Sequence, residues 1–189
     1  MSVSLPPIEV VPSLPIIEKI ELLNHLFEKC QILSAFLLLK LFGADKRYST
    51  YQQLIEDARV YLIDYLNESE RRASETGQPI NPDIAAIIGA HPRLGASQKL
   101  SSHSSQEQKS LQQSSEEERK RLEDLNNLYE STFPGLRYVV FVNGRPRSVI
   151  MEDMLQRIQR NDISKERHEA FAAMCDIALD RASKLGAKF

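Results

Sequence analysis

Phe171-Ala172-Ala173-Met174-Cys175-Asp176-Ile177-Ala178-Leu179-Asp180-Arg181-Ala182-Ser183-Lys184-Leu185 carries apolar residues at three- to four-residue spacing, at Phe171, Met174, Ala178 and Leu185. Side chains at that spacing share one face of an α-helix, so the pattern predicts a helix with one buried stripe, running from about Ser164 to Leu185. Arg181 falls inside the stripe, between Ala178 and Leu185. A guanidinium is expensive to desolvate, so an arginine there is a snorkelling side chain, one half of an internal ion pair, or an anion-binding group in a pocket.

The same periodicity continues upstream. From Ile16 a helical pattern places Ile17, Ile20, Leu23 and Phe27 at helical spacing, and Asp45-Lys46-Arg47 reads as a turn. Ser49 or Thr50 then caps a helix with Leu54, Ala58, Tyr61, Leu62 and Tyr65 on one face, ended by Gly77-Gln78-Pro79. Asn81-Pro82-Asp83 is a cap residue, a first-turn proline and a first-turn acid, so it starts a helix. That helix, Ile84 to Ile88, is short and almost wholly apolar, hence buried, and Gly89 with His91-Pro92 stops it. Ser114 with Glu117 predicts a capping box for a helix through Tyr129, which Phe133-Pro134-Gly135 ends. Asn143-Gly144 reads as a turn before a helix from Ser148 to Arg160. Tyr138-Val139-Val140-Phe141-Val142 is the one strong β-type run. With no partner strand it is expected to cross the core as an extended segment.

These elements predict an all-α, single globular domain of seven or so helices with one short extended segment. Residues 1–15, with four prolines, read as an extended N-terminal arm, and 16–186 as the helical domain. The chain has 189 residues, enough for a sizeable core, and a net charge of -2, which gives no drive toward nucleic acid or anionic membrane. No apolar run approaches the roughly 20 residues a membrane span requires. Cys30 and Cys175 sit in apolar patterns and read as reduced thiols, which fits an intracellular compartment. The histidines and cysteines lack metal-ligand spacing, and phosphate loops and nucleophile elbows are absent, so any chemistry is expected to run on side chains without metal or cofactor.

The side chains available for it cluster in two motifs. His91-Pro92-Arg93-Leu94-Gly95 fixes a histidine next to a proline, with a glycine that permits a tight turn. Imidazole has an ordinary pKa near neutrality, the range general acid–base work needs; the plainer reading is a structural histidine beside an apolar helix. Sixteen residues on, Ser104-Ser105-Gln106-Glu107-Gln108 places a carboxylate among neutral hydrogen-bonding groups. Ser104 and Gln108 share a helical face, with Glu107 beside them, which suits a polar, amide-rich small molecule as well as a solvated surface. Arg145 and Arg147, flanking Pro146, read as an exposed basic turn.

Taken together, His91 to Gly95, Ser104 to Gln108, Tyr138 to Asn143 with Gly144-Arg145, the Leu26-Phe27-Glu28 triplet and Arg181 resemble the ureidoimidazoline decarboxylases of purine catabolism. The resemblance covers roughly residues 16–186. It implies an all-α homodimer without cofactor that converts 2-oxo-4-hydroxy-4-carboxy-5-ureidoimidazoline to (S)-allantoin and CO2, in the cytoplasm or the peroxisome. It further implies that His91 is the acid/base, Glu107 its catalytic partner and Arg181 an essential charged group. Pro92, Ser104, Gln108 and residues Val139, Val140, Phe141, Val142 and Asn143 would line the substrate pocket. The alternative is a non-catalytic helical module that keeps the fold for binding.

Overall fold

The computed structural model describes residues 3–43, 45–95, 101–108 and 115–187. Among them are eight α-helices, one 3-10 helix and no strand, so the chain is a single all-α domain. The α-helices are α1 (Ile16–Leu26), α2 (Gln31–Leu41), α3 (Tyr51–Thr76), α4 (Pro82–Gly89), α5 (Ser102–Glu107), α6 (Glu116–Thr132), α7 (Arg147–Arg160) and α8 (Ile163–Lys184). No single described helix is long and apolar enough to cross a membrane.

The two longest helices, α3 and α8, form the most extensive interhelical contact, and α1, α2 and α4 pack around them. The stripe read from the sequence is what α8 buries: Phe171, Met174 and Ala178 are fully inaccessible. On α3, Leu54, Ala58 and Leu62 do the same. Thr50 caps α3 by accepting the Gln53 N–H at 3.1 Å, and Gly77 ends it in the left-handed region at φ +69°. The run 138–142 crosses the core without pairing, with Tyr138, Val139 and Val142 buried.

Four local expectations are corrected. The helical pattern that begins at Ile16 is two helices, not one. The chain breaks at Phe27 to Cys30, and α1 and α2 meet at 114°. Glu28 and Lys29 are good helix formers, so nothing local announces the break. The N-terminal arm is not wholly extended: Ile8–Ser13 is a 3-10 helix that buries Ile8 and Val11. Pro6 accepts a 2.6 Å hydrogen bond from the Tyr51 hydroxyl, fastening the arm to α3. The cap of α6 is Ser115, which accepts the Glu118 N–H at 3.2 Å; Ser114 lies outside the described residues, as does much of the Ser/Gln-rich stretch. Finally, Cys30 is the half-buried N-cap of α2, whereas Cys175 is buried as expected.

Candidate active site

Helix α4 exists to end where it does. Asn81 caps it by accepting the Asp83 N–H at 3.0 Å, and Pro82 occupies the first turn, where its missing N–H costs nothing. Ile84, Ile87 and Ile88 bury its apolar face, and His91 follows directly, donating its N–H to Ile88 O at 3.2 Å. The turn beyond is tied on both sides. Asn126 of α6 donates to Leu94 O at 3.1 Å, and Gln108 Oε1 accepts the Gly95 N–H at 2.8 Å.

Helix α5 is six residues long, capped by Ser101, which accepts the Ser104 N–H at 3.1 Å. It presents Ser104, Glu107 and, at its C-cap, Gln108 toward His91. Gln108 spends its oxygen on Gly95, which leaves its amide nitrogen as the group to offer a ligand.

Arg181 reaches this helix from α8. It is 2 % exposed and forks onto Glu107, Nε to Oε1 at 2.5 Å and Nη2 to Oε2 at 3.1 Å. Nη2 also donates to Glu28 Oε1 at 2.8 Å. Ser104 donates its hydroxyl to the same Glu28 oxygen, and Ser101 does so at 3.2 Å. Arg181 is therefore an internal ion pair with two carboxylates, and it backs the pocket instead of opening into it. Burial pushes the Glu28 carboxyl up, but the Ser104 hydroxyl and Arg181 together hold it below the usual range. Burial alone would lower the Arg181 pKa; Glu107 and Glu28 raise it instead.

His91 is buried, and its Nδ1 has no hydrogen-bond partner among the described residues. Desolvation is the largest influence and pulls its pKa down from 6.5 to about 4; Glu28 opposes this, while Arg181 and Arg137 add to it. The sequence reading expected a group titrating near neutrality. Burial makes it instead a ring that is uncharged throughout the neutral range.

His91, Ser104, Glu107 and Gln108 form the polar side of one narrow recess. Pro92 and the run 139–142 form its apolar wall. The structure thus brings together all but two of the residues expected here. Arg181 stands behind Glu107, and Asn143 lies elsewhere, exposed at φ +49° on a separate shallow cleft beside Asp176 and Asp180. Leu94, Tyr138 and Ile177 also line the recess and were not anticipated. Ile177 had a signal, one helical turn before Arg181 on the same face. Glu28 had only its place in the Leu26-Phe27-Glu28 triplet. Among the described residues no three His, Cys, Asp or Glu side chains gather as a metal-holding group.

The arrangement sets a neutral imidazole and a braced carboxylate over an apolar floor. Such a pocket can take a proton from a bound small molecule and return one at a fixed position. A family model described as OHCU decarboxylase matches residues 12–183. A comparison with curated proteins gives no match.

Proposed function

This chain belongs to the OHCU decarboxylase family, which carries a role in urate degradation, and from that premise we propose that it decarboxylates 2-oxo-4-hydroxy-4-carboxy-5-ureidoimidazoline to (S)-allantoin. The observation that carries the reading is that a buried His91 and a Glu107 carboxylate fixed by Arg181 line one small recess together.

The chemistry suits these groups. Breaking the bond between the ring carbon and its carboxylate releases CO2 and leaves an electron pair on that carbon. The adjacent ring C=N takes up the pair, and its nitrogen takes a proton, so the ring itself is the electron sink. The carbon that lost CO2 still bears a hydroxyl. Loss of that hydroxyl proton makes the carbonyl, and the neighbouring ring carbon gains a proton from one face, which sets the configuration. One proton is consumed overall for each CO2 released. A neutral imidazole is ready to accept the hydroxyl proton at pH 7 without first being deprotonated.

The ion-pair cluster adds a second element. Because Arg181 is already matched to Glu107 and Glu28, its fork is not spent on clamping the substrate's own carboxylate. A full ion pair to that group would stabilise the very charge that leaves as neutral CO2, lowering the ground state more than the transition state. A homodimer is part of the same proposal, as is location in the cytosol or peroxisome.

The test is circular dichroism during urate oxidation, with urate oxidase and hydroxyisourate hydrolase supplying the ureidoimidazoline. Addition of the protein is expected to give a fast (S)-allantoin signal above the slow racemic background. His91→Ala and Glu107→Gln are each expected to lower the rate about 10²- to 10⁴-fold while remaining folded. Folded wild-type protein that leaves the spontaneous course unchanged would sink the reading and leave a non-catalytic binding module.

A further inference from the structure

Among the described residues, no side chain or carbonyl holds Nδ1 of His91, the usual device for aiming an imidazole that moves protons. Histidines in such roles commonly give one ring nitrogen to a carboxylate or carbonyl, which fixes both tautomer and direction. Here Nδ1 has no partner among the described residues. The ring's direction then rests on its close packing and on the backbone that bears it. That backbone is held at one point by a charged side chain outside the recess. Arg137 Nη1 donates to His91 O at 2.7 Å and to Gly89 O at 3.1 Å. These carbonyls stand at the C-terminal end of α4, where helix carbonyls lack partners and the dipole favours a cation.

Arg137 is itself braced. Its Nε lies 3.8 Å from Glu130 Oε1 on α6. Glu130 receives Arg93 as a fork, Nε to Oε1 at 3.0 Å and Nη2 to Oε2 at 2.9 Å, and Arg93 also donates to Asn127 Oδ1 at 2.6 Å. Arg93 belongs to the same turn as His91. One glutamate of α6 therefore holds that turn twice, directly through Arg93 and indirectly through Arg137. None of the three side chains lines the recess.

We infer that Arg137 is a positioning residue for His91, its guanidinium fixing the carbonyls at the end of α4 and Glu130 fixing the guanidinium. The inference rests on the reading of His91 as the proton-transfer group. Misplacing a reacting group by about 1 Å can cost about 100-fold in rate without removing any contact to substrate, so loss of this clamp falls on turnover more than on binding.

The experiment compares Arg137→Met, Arg137→Lys and Glu130→Gln in the full chain. It reads kcat and KM in the coupled assay and the His91 imidazole resonances by NMR. Arg137→Met keeps the stem but removes the donors; it is expected to lower kcat about 10- to 100-fold with KM within about 3-fold. Its His91 resonances should move, and the ring should titrate higher, since a repelling charge is gone while Glu28, Glu107 and Arg181 still face it. Arg137→Lys restores the charge and one donor, and is expected to recover the titration and part of kcat. Glu130→Gln should shift the same resonances less. A folded Arg137→Met with wild-type kcat and wild-type His91 resonances overturns the inference. Should Arg137→Met not fold, a folded Glu130→Gln with wild-type kcat and wild-type His91 resonances does so. Should the wild type lack the decarboxylase activity, the resonances alone still decide whether Arg137 sets the place of His91.

Discussion

At Gly95, backbone and packing make one demand. Its φ of +69° lies in the left-handed region, and a Cβ built there would sit 2.7 Å from Leu122 Cδ2. Gly95→Ala is therefore expected to cost about 1–3 kcal/mol in urea unfolding, from the strained dihedral and the displaced leucine. A cost under about 0.5 kcal/mol would show that the turn tolerates a side chain. This position was legible, because a glycine three residues past a His-Pro pair marks a tight turn without reference to anything distant. Glu28 was not legible. A carboxylate between Phe27 and Lys29 reads as the solvent side of the segment, and its meaning comes from Arg181, 153 positions away. The same holds for the protonation of His91. Residue type gives an ordinary pKa near neutrality, and only burial, with the arginines Arg181 and Arg137 nearby, pulls it down.

Between elements, a second buried carboxylate ties three helices together. Glu166 of α8 is fully inaccessible and accepts from Tyr129 of α6 at 2.8 Å, from Arg157 of α7 at 2.7 Å and from Arg160 at 2.7 Å. Arg157 continues to the recess wall, lying 4.6 Å from the Tyr138 ring centroid and donating to Val139 O at 3.3 Å. Three helices and the run 138–142 thus meet at one carboxyl group. Glu166→Ala would take away the one fully buried partner of Arg157 and leave it Glu169 at 3.0 Å and Asp153 at 3.7 Å; it is expected to cost about 3 kcal/mol, with loosening of the run measured as faster amide exchange at residues 138–142. Stability within about 1 kcal/mol of wild type would mean the arginines find other partners. Helix identity was largely readable at this scale, because 3.6-residue periodicity is a local property of each segment. The break between α1 and α2 was not, since it serves to turn Glu28 inward and the local residues favour continuing the helix. The wall run was readable as extended from its β-branched and aromatic content, but not the arginine that holds it.

Over the whole molecule, two buried groups couple folding to acidity with the same sign. The folded pKa of His91 is about 4 against an ordinary 6.5, so between those values the unfolded chain binds a proton that the native chain refuses. Stability from this group is complete above pH 6.5 and is lost as pH falls toward 4, a change on the order of 3 kcal/mol. Glu28, held below its ordinary 4.5, contributes stability above that value and loses it on further acidification. Urea midpoints are expected to fall between pH 7 and pH 4.5, and His91→Phe should flatten the upper part of that dependence; a midpoint independent of pH would contradict the buried neutral ring. The Glu28–Arg181 bridge has a further consequence, for the chain during its synthesis. Helices α1 to α4 emerge from the ribosome long before α8, and Glu28 must wait for an arginine 153 residues on. Helices can form as they emerge, but the recess acquires its braced carboxylate only once α8 has been made. A nascent chain, or one cut before α8, can be richly helical and still lack the braced carboxylate.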